Sequence, residues 1–201
     1  MLPYYSVAVR SCLFPTALLI LYQAAINFFR IRKTSPGHPP LSADSAQPTC
    51  LKCGRLRLER SHHCATCRQC TLRMDHHCHL VGVCIGEHNF RFFFLWLCWV
   101  VIAGTIGGLV TILPLWELGS STELAKNCLV FSLALSFALA AVIGLLLSSH
   151  YQSLMRGQTS IEAIRNVRTF DQGRRKNWEA VFGRSRLWLF GVMKRSLELP
   201  V

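Results

Sequence analysis

Three long apolar blocks, separated by basic or mixed stretches, dominate the pattern of this chain. Residues 11–29 carry no charge and close on Arg30, Arg32 and Lys33. A second block runs from Phe92 to Trp116, with Arg91 at its entrance, and a third from Cys128 to Leu147. Uninterrupted apolar runs of about 20 residues match the thickness of a bilayer, whereas soluble cores use shorter periodic runs. Each block is therefore predicted to be a membrane-spanning helix. A cleaved signal sequence is the alternative for the first, but the run is long for a signal's apolar region, its positive cluster lies on the C-terminal side and no convincing cleavage site follows it. Gly104, Gly107 and Gly108 in the second block permit close helix packing, a weak signal by itself. No internal repeat is evident along the chain.

Composition sharpens this picture. Hydrophobic residues make up 51% of the 201 positions, yet the formal net charge is +12. The cations are unevenly placed: ten Lys/Arg lie in residues 30–91, one (Lys126) in 117–127 and ten in 151–201. By the positive-inside rule, the first and last of these segments face the cytosol and the short connection faces the lumen. The N-terminus then lies on the lumenal side. The basic charge serves membrane topology and requires no nucleic-acid partner.

Chemistry is concentrated between the first two blocks. Seven of ten cysteines (Cys50, Cys53, Cys64, Cys67, Cys70, Cys78 and Cys84) fall within 35 residues, interleaved with histidines. Cys-x-x-Cys pairs alternating with His are metal-site spacing and imply a reducing compartment. Two closed tetrahedral zinc sites need eight donors, which six cysteines and two histidines supply. Cys78 is then left over beside Asp75 and His76. A spare thiol next to an imidazole and a carboxylate is the arrangement of an activated nucleophile: His76 can take its proton and Asp75 can hold the imidazole. The alternative is that Cys78 is itself a ligand. His62, His79 and His88 read as surface or supporting polar residues. A RING-type interaction module would end in a second Cys-x-x-Cys pair, which Cys78-x5-Cys84 does not provide.

The pattern Cys-x2-Cys-x9-His-Cys-x2-Cys-x2-Cys-x4-Asp-His-His-Cys-x5-Cys-x4-Asn-x3-Phe, from Cys50 to Phe93, resembles the DHHC cysteine-rich domain of protein S-acyltransferases. That resemblance implies two structural zinc ions. One would be held by Cys50, Cys53, His63 and Cys70, and the other by Cys64, Cys67, His77 and Cys84. It implies Cys78 as nucleophile, His76 as base and Asp75 behind it. The donor would be acyl-CoA, such as palmitoyl-CoA. Acceptors would be cysteines of cytosolic or membrane proteins near the bilayer, in the Golgi or endoplasmic reticulum. Thr159-Ser160-Ile161-Glu162 resembles the family's Thr-Thr-x-Glu motif, although its spacing is also that of a simple capping box. Asn177 resembles a packing position of the family's tail. Arg184 to Leu199 suits an interfacial amphipathic helix or a disordered basic tail.

Three features depart from the family pattern. The chain has room for three spans where the family usually has four. His79 and Leu80 follow Cys78 where Pro and Trp are common, and Ser160 replaces a Thr. A catalytically weak DHHC-like scaffold is the competing expectation.

The expected architecture is an all-α polytopic membrane protein with three transmembrane helices and a small cytosolic two-zinc cysteine-rich domain. Its expected parts are an N-terminal helix and flank (1–33), a linker (34–49), the cysteine-rich domain (50–91) and a second helix (92–116). A lumenal connection (117–127), a third helix (128–149) and a cytosolic tail (150–201) complete it.

Overall fold

The structure, a computed structural model, describes residues 2–42, 47–112 and 122–184. Residues 117–121 of the expected lumenal connection, and all of the Arg184–Leu199 tail element beyond Arg184, lie outside the described residues. Long helices form where the apolar blocks were expected: α1 (Leu2–Lys33), α2 (Phe90–Ile112) and α3 (Glu123–Met155). Each contains a stretch apolar and long enough to cross a membrane: Leu13–Lys33, Phe90–Val110 and Glu123–Met155. At 1.5 Å per residue, the 23 residues of α2 extend about 35 Å, enough for a hydrocarbon core of about 30 Å. The 33 residues of α3 outrun it, so this helix ends well past the apolar block.

The described residues divide into two compact units. One takes Asn27 and the residues before it with Trp96–Leu147. Within it, α2 and α3 approach closely. A Cβ on Gly104 would stand 3.0 Å from Ala140 Cβ, and one on Gly108 would stand 2.9 Å from the Phe137 ring. The four-residue spacing puts both glycines on one helix face, which lets the two backbones meet. Side chains such as Phe131 and Leu145 on α3 remain exposed, as a lipid-facing surface requires.

The other unit takes Phe28–Leu95 and the residues from Ser148 onward. It is not all-α. Strands β1 (His62–Cys64) and β2 (Gln69–Thr71) pair antiparallel, as do β3 (His76–Cys78) and β4 (Val83–Ile85). These three-residue strands have little apolar alternation to announce them. Their register instead brings prospective metal donors face to face, His63 opposite Cys70 and His77 opposite Cys84. Short helices α4 (Ser160–Ile164) and α5 (Arg174–Phe182) follow α3.

The core of this unit includes Ile31, Val81, Ile85, Phe93, Leu154 and Phe182, all nearly inaccessible. The described part of the expected linker is pinned rather than free. Leu56 N–H donates to Pro40 O, Leu72 N–H to Gly37 O and His88 N–H to Pro36 O. Asn89, fully buried, accepts from Gly86 N–H and donates to Cys84 O and Ile31 O. One side chain thus ties the second hairpin to the ends of α1 and α2.

Candidate functional site

Two groups of four donors gather in the second unit: Cys50, Cys53, His63 and Cys70, and Cys64, Cys67, His77 and Cys84. Within each group all donor atoms lie within 4.8 Å of one another. Tetrahedral zinc with bonds near 2.3 Å sets its donors about 3.8 Å apart. Separations of 3.5 Å for Cys50–His63, 3.6 Å for Cys53–Cys70, 3.4 Å for Cys67–His77 and 3.5 Å for Cys84–Cys67 fit such an ion. Both histidines turn Nδ1 toward their cysteines. The donors of each group fit a zinc ion, and neither group includes Cys78.

The two groups disclose a repeat that was not evident in the sequence. Each donor of the second group lies 14 residues after its counterpart in the first. The turns repeat as well. Gly54, Arg68 and Gly82 follow the knuckles at the same interval, with φ of 67°, 56° and 77°. Gly54 N–H donates to Cys50 O and Gly82 N–H to Cys78 O, both at 2.8 Å. Backbone N–H groups face the first sulfur of each turn: those of Lys52 and Cys53 at Cys50, Thr66 and Cys67 at Cys64, and Leu80 and Val81 at Cys78. Cys78 therefore occupies the first position of a third such turn, where Val81 stands in place of a second cysteine.

Strand alternation separates the two adjacent histidines of β3. Successive side chains point to opposite faces. His77 turns to the metal donors, while His76 and Cys78 share the other face. His76 Nδ1 lies 2.7 Å from Asp75 Oδ2, which fixes its proton there and leaves Nε2 for other work. Asp75 is 3% exposed and also accepts from Ser160 twice, N–H to Oδ1 and Oγ–H to Oδ2, each at 2.8 Å. His150, at the end of α3, places its Nδ1 3.7 Å from Asp75 Oδ2.

The tail segment forms a full capping box. Thr159 Oγ1 accepts from Glu162 N–H, and Glu162 Oε2 accepts from Thr159 N–H. The box also docks, because Ser160 reaches Asp75 from the first turn of α4. Arg60, just before β1, clamps it: Nε and Nη2 each donate to Glu162 at 2.7 Å, and Nη2 donates to Gly157 O at 2.9 Å. Its guanidinium stands 4.2 Å from the Phe170 ring centroid. Gly157 sits at φ 66°, where a Cβ would stand 2.6 Å from Phe170 O. Asn177 donates to Met155 O and Asp171 Oδ1 and accepts from Gln172 N–H, so it satisfies the end of α3.

Electrostatics follow from these contacts. Burial alone would depress His76, but the Asp75 hydrogen bond and the contact with the Cys78 sulfur raise it to about 9. Burial likewise pushes the Cys78 thiol up, but its contacts with His76 and with the Val81 and Leu80 N–H groups together outweigh that, leaving the thiol below its usual value. Asp75 stays low despite burial because His76, His150 and the Ser160 N–H favour its charge. The mutual contact thus favours the charged form of both His76 and Cys78.

Arg60, one of the ten cations of residues 30–91, is committed to Glu162. His150 was read only as the start of the basic tail. Lys52, Arg57 and Arg68 remain exposed.

Among known proteins, a family model described as DHHC palmitoyltransferase matches residues 44–167. The chain is 38% identical over 152 residues to Probable protein S-acyltransferase 14 of Arabidopsis thaliana, covering 70% of this chain and 49% of that relative. It is 34% identical over 154 residues to Probable protein S-acyltransferase 13 of the same plant, covering 70% and 50%. It is 31% identical over 170 residues to human Palmitoyltransferase ZDHHC20, covering 76% and 46%. The chain thus spans about half the length of these curated relatives. On these grounds the chain belongs to the DHHC palmitoyltransferase family.

Proposed function

We propose that this protein is a multi-pass membrane S-acyltransferase, moving a palmitoyl-type chain from acyl-CoA to protein cysteines through an S-acyl-Cys78 intermediate. One observation carries this reading. Eight Cys and His side chains gather in two groups of four, while Cys78 shares a strand face with His76, whose ring is bonded to Asp75.

In the first step the Cys78 thiolate attacks the thioester carbonyl of acyl-CoA. A new C–S bond forms to Sγ, the bond to the CoA sulfur breaks, and His76 gives its proton to the departing thiolate. An acceptor cysteine then approaches. His76 takes its proton, its sulfur attacks the acyl-Cys78 carbonyl, and Cys78 leaves as thiolate. Asp75 keeps His76 in one tautomer throughout, and Ser160 keeps Asp75 in place. Zinc in two closed sites would supply folding energy and no open coordination position. The acyl chain would lie among the helices, each buried methylene adding about 0.8 kcal/mol. Exposed Leu80, two residues after Cys78, lies where the head of that chain would pass.

The positive-inside rule turns the Cys/His unit to the cytosol, beside membrane lipids and the juxtamembrane cysteines of acceptor proteins. A Golgi or endoplasmic reticulum membrane accords with that orientation.

Labelling the full chain with a palmitate analogue tests the reading. Wild type should take up a hydroxylamine-labile label, Cys78→Ala should take up none, and both should hold two zinc per chain. Label on Cys78→Ala, or zinc lost with it, would sink the mechanism.

A further inference from the structure

We propose that His150 is a positioning residue for acyl transfer, holding the Asp75–His76 pair from α3 while Ser160 holds it from α4. The inference rests on the transferase reading above and adds a third member behind the nucleophile.

The observations are geometric. His150 is 5% exposed, and its Nδ1 has no hydrogen-bond partner. That nitrogen lies 3.7 Å from Asp75 Oδ2, the oxygen that His76 Nδ1 also meets. The ring is held on several sides. Phe93 meets it edge-on at 5.1 Å between centroids, Phe90 at 6.1 Å, and His76 lies tilted against it at 5.6 Å. A phenylalanine would fill such an aromatic surround without leaving a buried polar atom unpaired. An imidazole earns its place there only through what it can donate, and Asp75 is the acceptor in reach. At 3.7 Å the contact is longer than a hydrogen bond, and catalytic contacts are often long in the free enzyme and tighten when substrate binds. A neutral ring protonated at Nδ1 suffices, so no change of charge is required. With it, Asp75 Oδ2 is fixed by donors from β3, α3 and α4, and His76 cannot swing from Cys78 without losing its partner on both edges.

Rates of Cys78 acylation by palmitoyl-CoA test this in the full chain. His150→Phe should retain two zinc and a KM within twofold, while the acylation rate falls roughly 10- to 100-fold, the scale of a misaligned catalytic group. His150→Asn, which keeps a donor near Nδ1, should recover most of that loss. Should His150→Phe lose zinc, the comparison passes to His150→Asn against the near-isosteric His150→Leu, with the Asn variant expected to be faster. A wild-type rate for His150→Phe, equal rates for the donor and non-donor variants, or a change confined to KM would overturn the proposal. If wild type itself takes up no hydroxylamine-labile label, the transferase reading fails first, an outcome distinct from all of these.

Discussion

Arg60→Ala removes a multiply bonded polar tie in the Cys/His unit. Arg60 makes two hydrogen bonds to the Glu162 carboxylate and one to Gly157 O, and it faces Phe170. The pair is sheltered, with side chains 17% and 7% exposed. Hydrogen bonds to charged groups contribute about 1.5–3 kcal/mol each, but cutting one partner chiefly strands the other. For a buried pair that cost is about 3–5 kcal/mol, and the residual exposure of Arg60 places the expected loss near the lower end, about 3 kcal/mol. In a chain of this size each kcal/mol moves the midpoint by about 2–4 °C, so melting in detergent should fall by roughly 6–12 °C. Ser160 would lose its seat on Asp75, so Cys78 acylation should fall as well. Glu162→Ala should show the same phenotype, and the double variant should be little worse than either single, because neither charge is then stranded. A midpoint shift below about 2 °C for Arg60→Ala, or full additivity in the cycle, would refute the clamp.

Loss of a prospective zinc ligand should act on folding. Cys84→Ser is expected to hold one zinc per chain and to expose the remaining cysteines to alkylation, with metal analysis as the check; two retained zinc ions would exclude Cys84 as a ligand. Asn177→Ala removes a donor to the end of α3 at Met155 O and two bonds to the Asp171–Gln172 turn, and should cost about 1–3 kcal/mol, read as faster proteolysis of residues after Met155. Acylation of Cys78 should rise with pH through its lowered thiol value and fall near pH 9, where the His76 imidazolium is lost. In Asp75→Asn the falling limb should move to lower pH, because the contact that raises His76 is weakened; a rate that keeps climbing above pH 10 would contradict the ion pair.

The apolar blocks were legible because bilayer length is a linear property of sequence. The donor groups were legible because Cys and His at knuckle spacing are rare together. The hairpins were not. Three-residue strands such as His62–Cys64 owe their shape to donors meeting across the register rather than to β propensity. Arg60 looked like any loop cation, since its partner Glu162 lies 102 residues away. His150 was hidden at the boundary of an apolar block, where only the packed structure brings Asp75 beside it. The segment Thr159–Glu162 caps α4 through Thr159 and Glu162 and docks on Asp75 through Ser160, and sequence spacing could display only the cap.

The 14-residue interval also bears on the departure at His79 and Leu80. In the third turn the sulfur of Cys78 is faced by main-chain N–H groups, those of Leu80 and Val81. Any residue other than proline at position 80 supplies that donor, because it belongs to the peptide and not to the side chain. On the proposed mechanism, the turn that elsewhere would prepare a cysteine for a metal cation would here prepare one for an electrophilic carbon, through main-chain groups rather than the side chains at positions 79 and 80. On that reading, His79 and Leu80 in place of the family's usual Pro and Trp would alter what the incoming chain touches, while the readiness of the thiol would come from the turn.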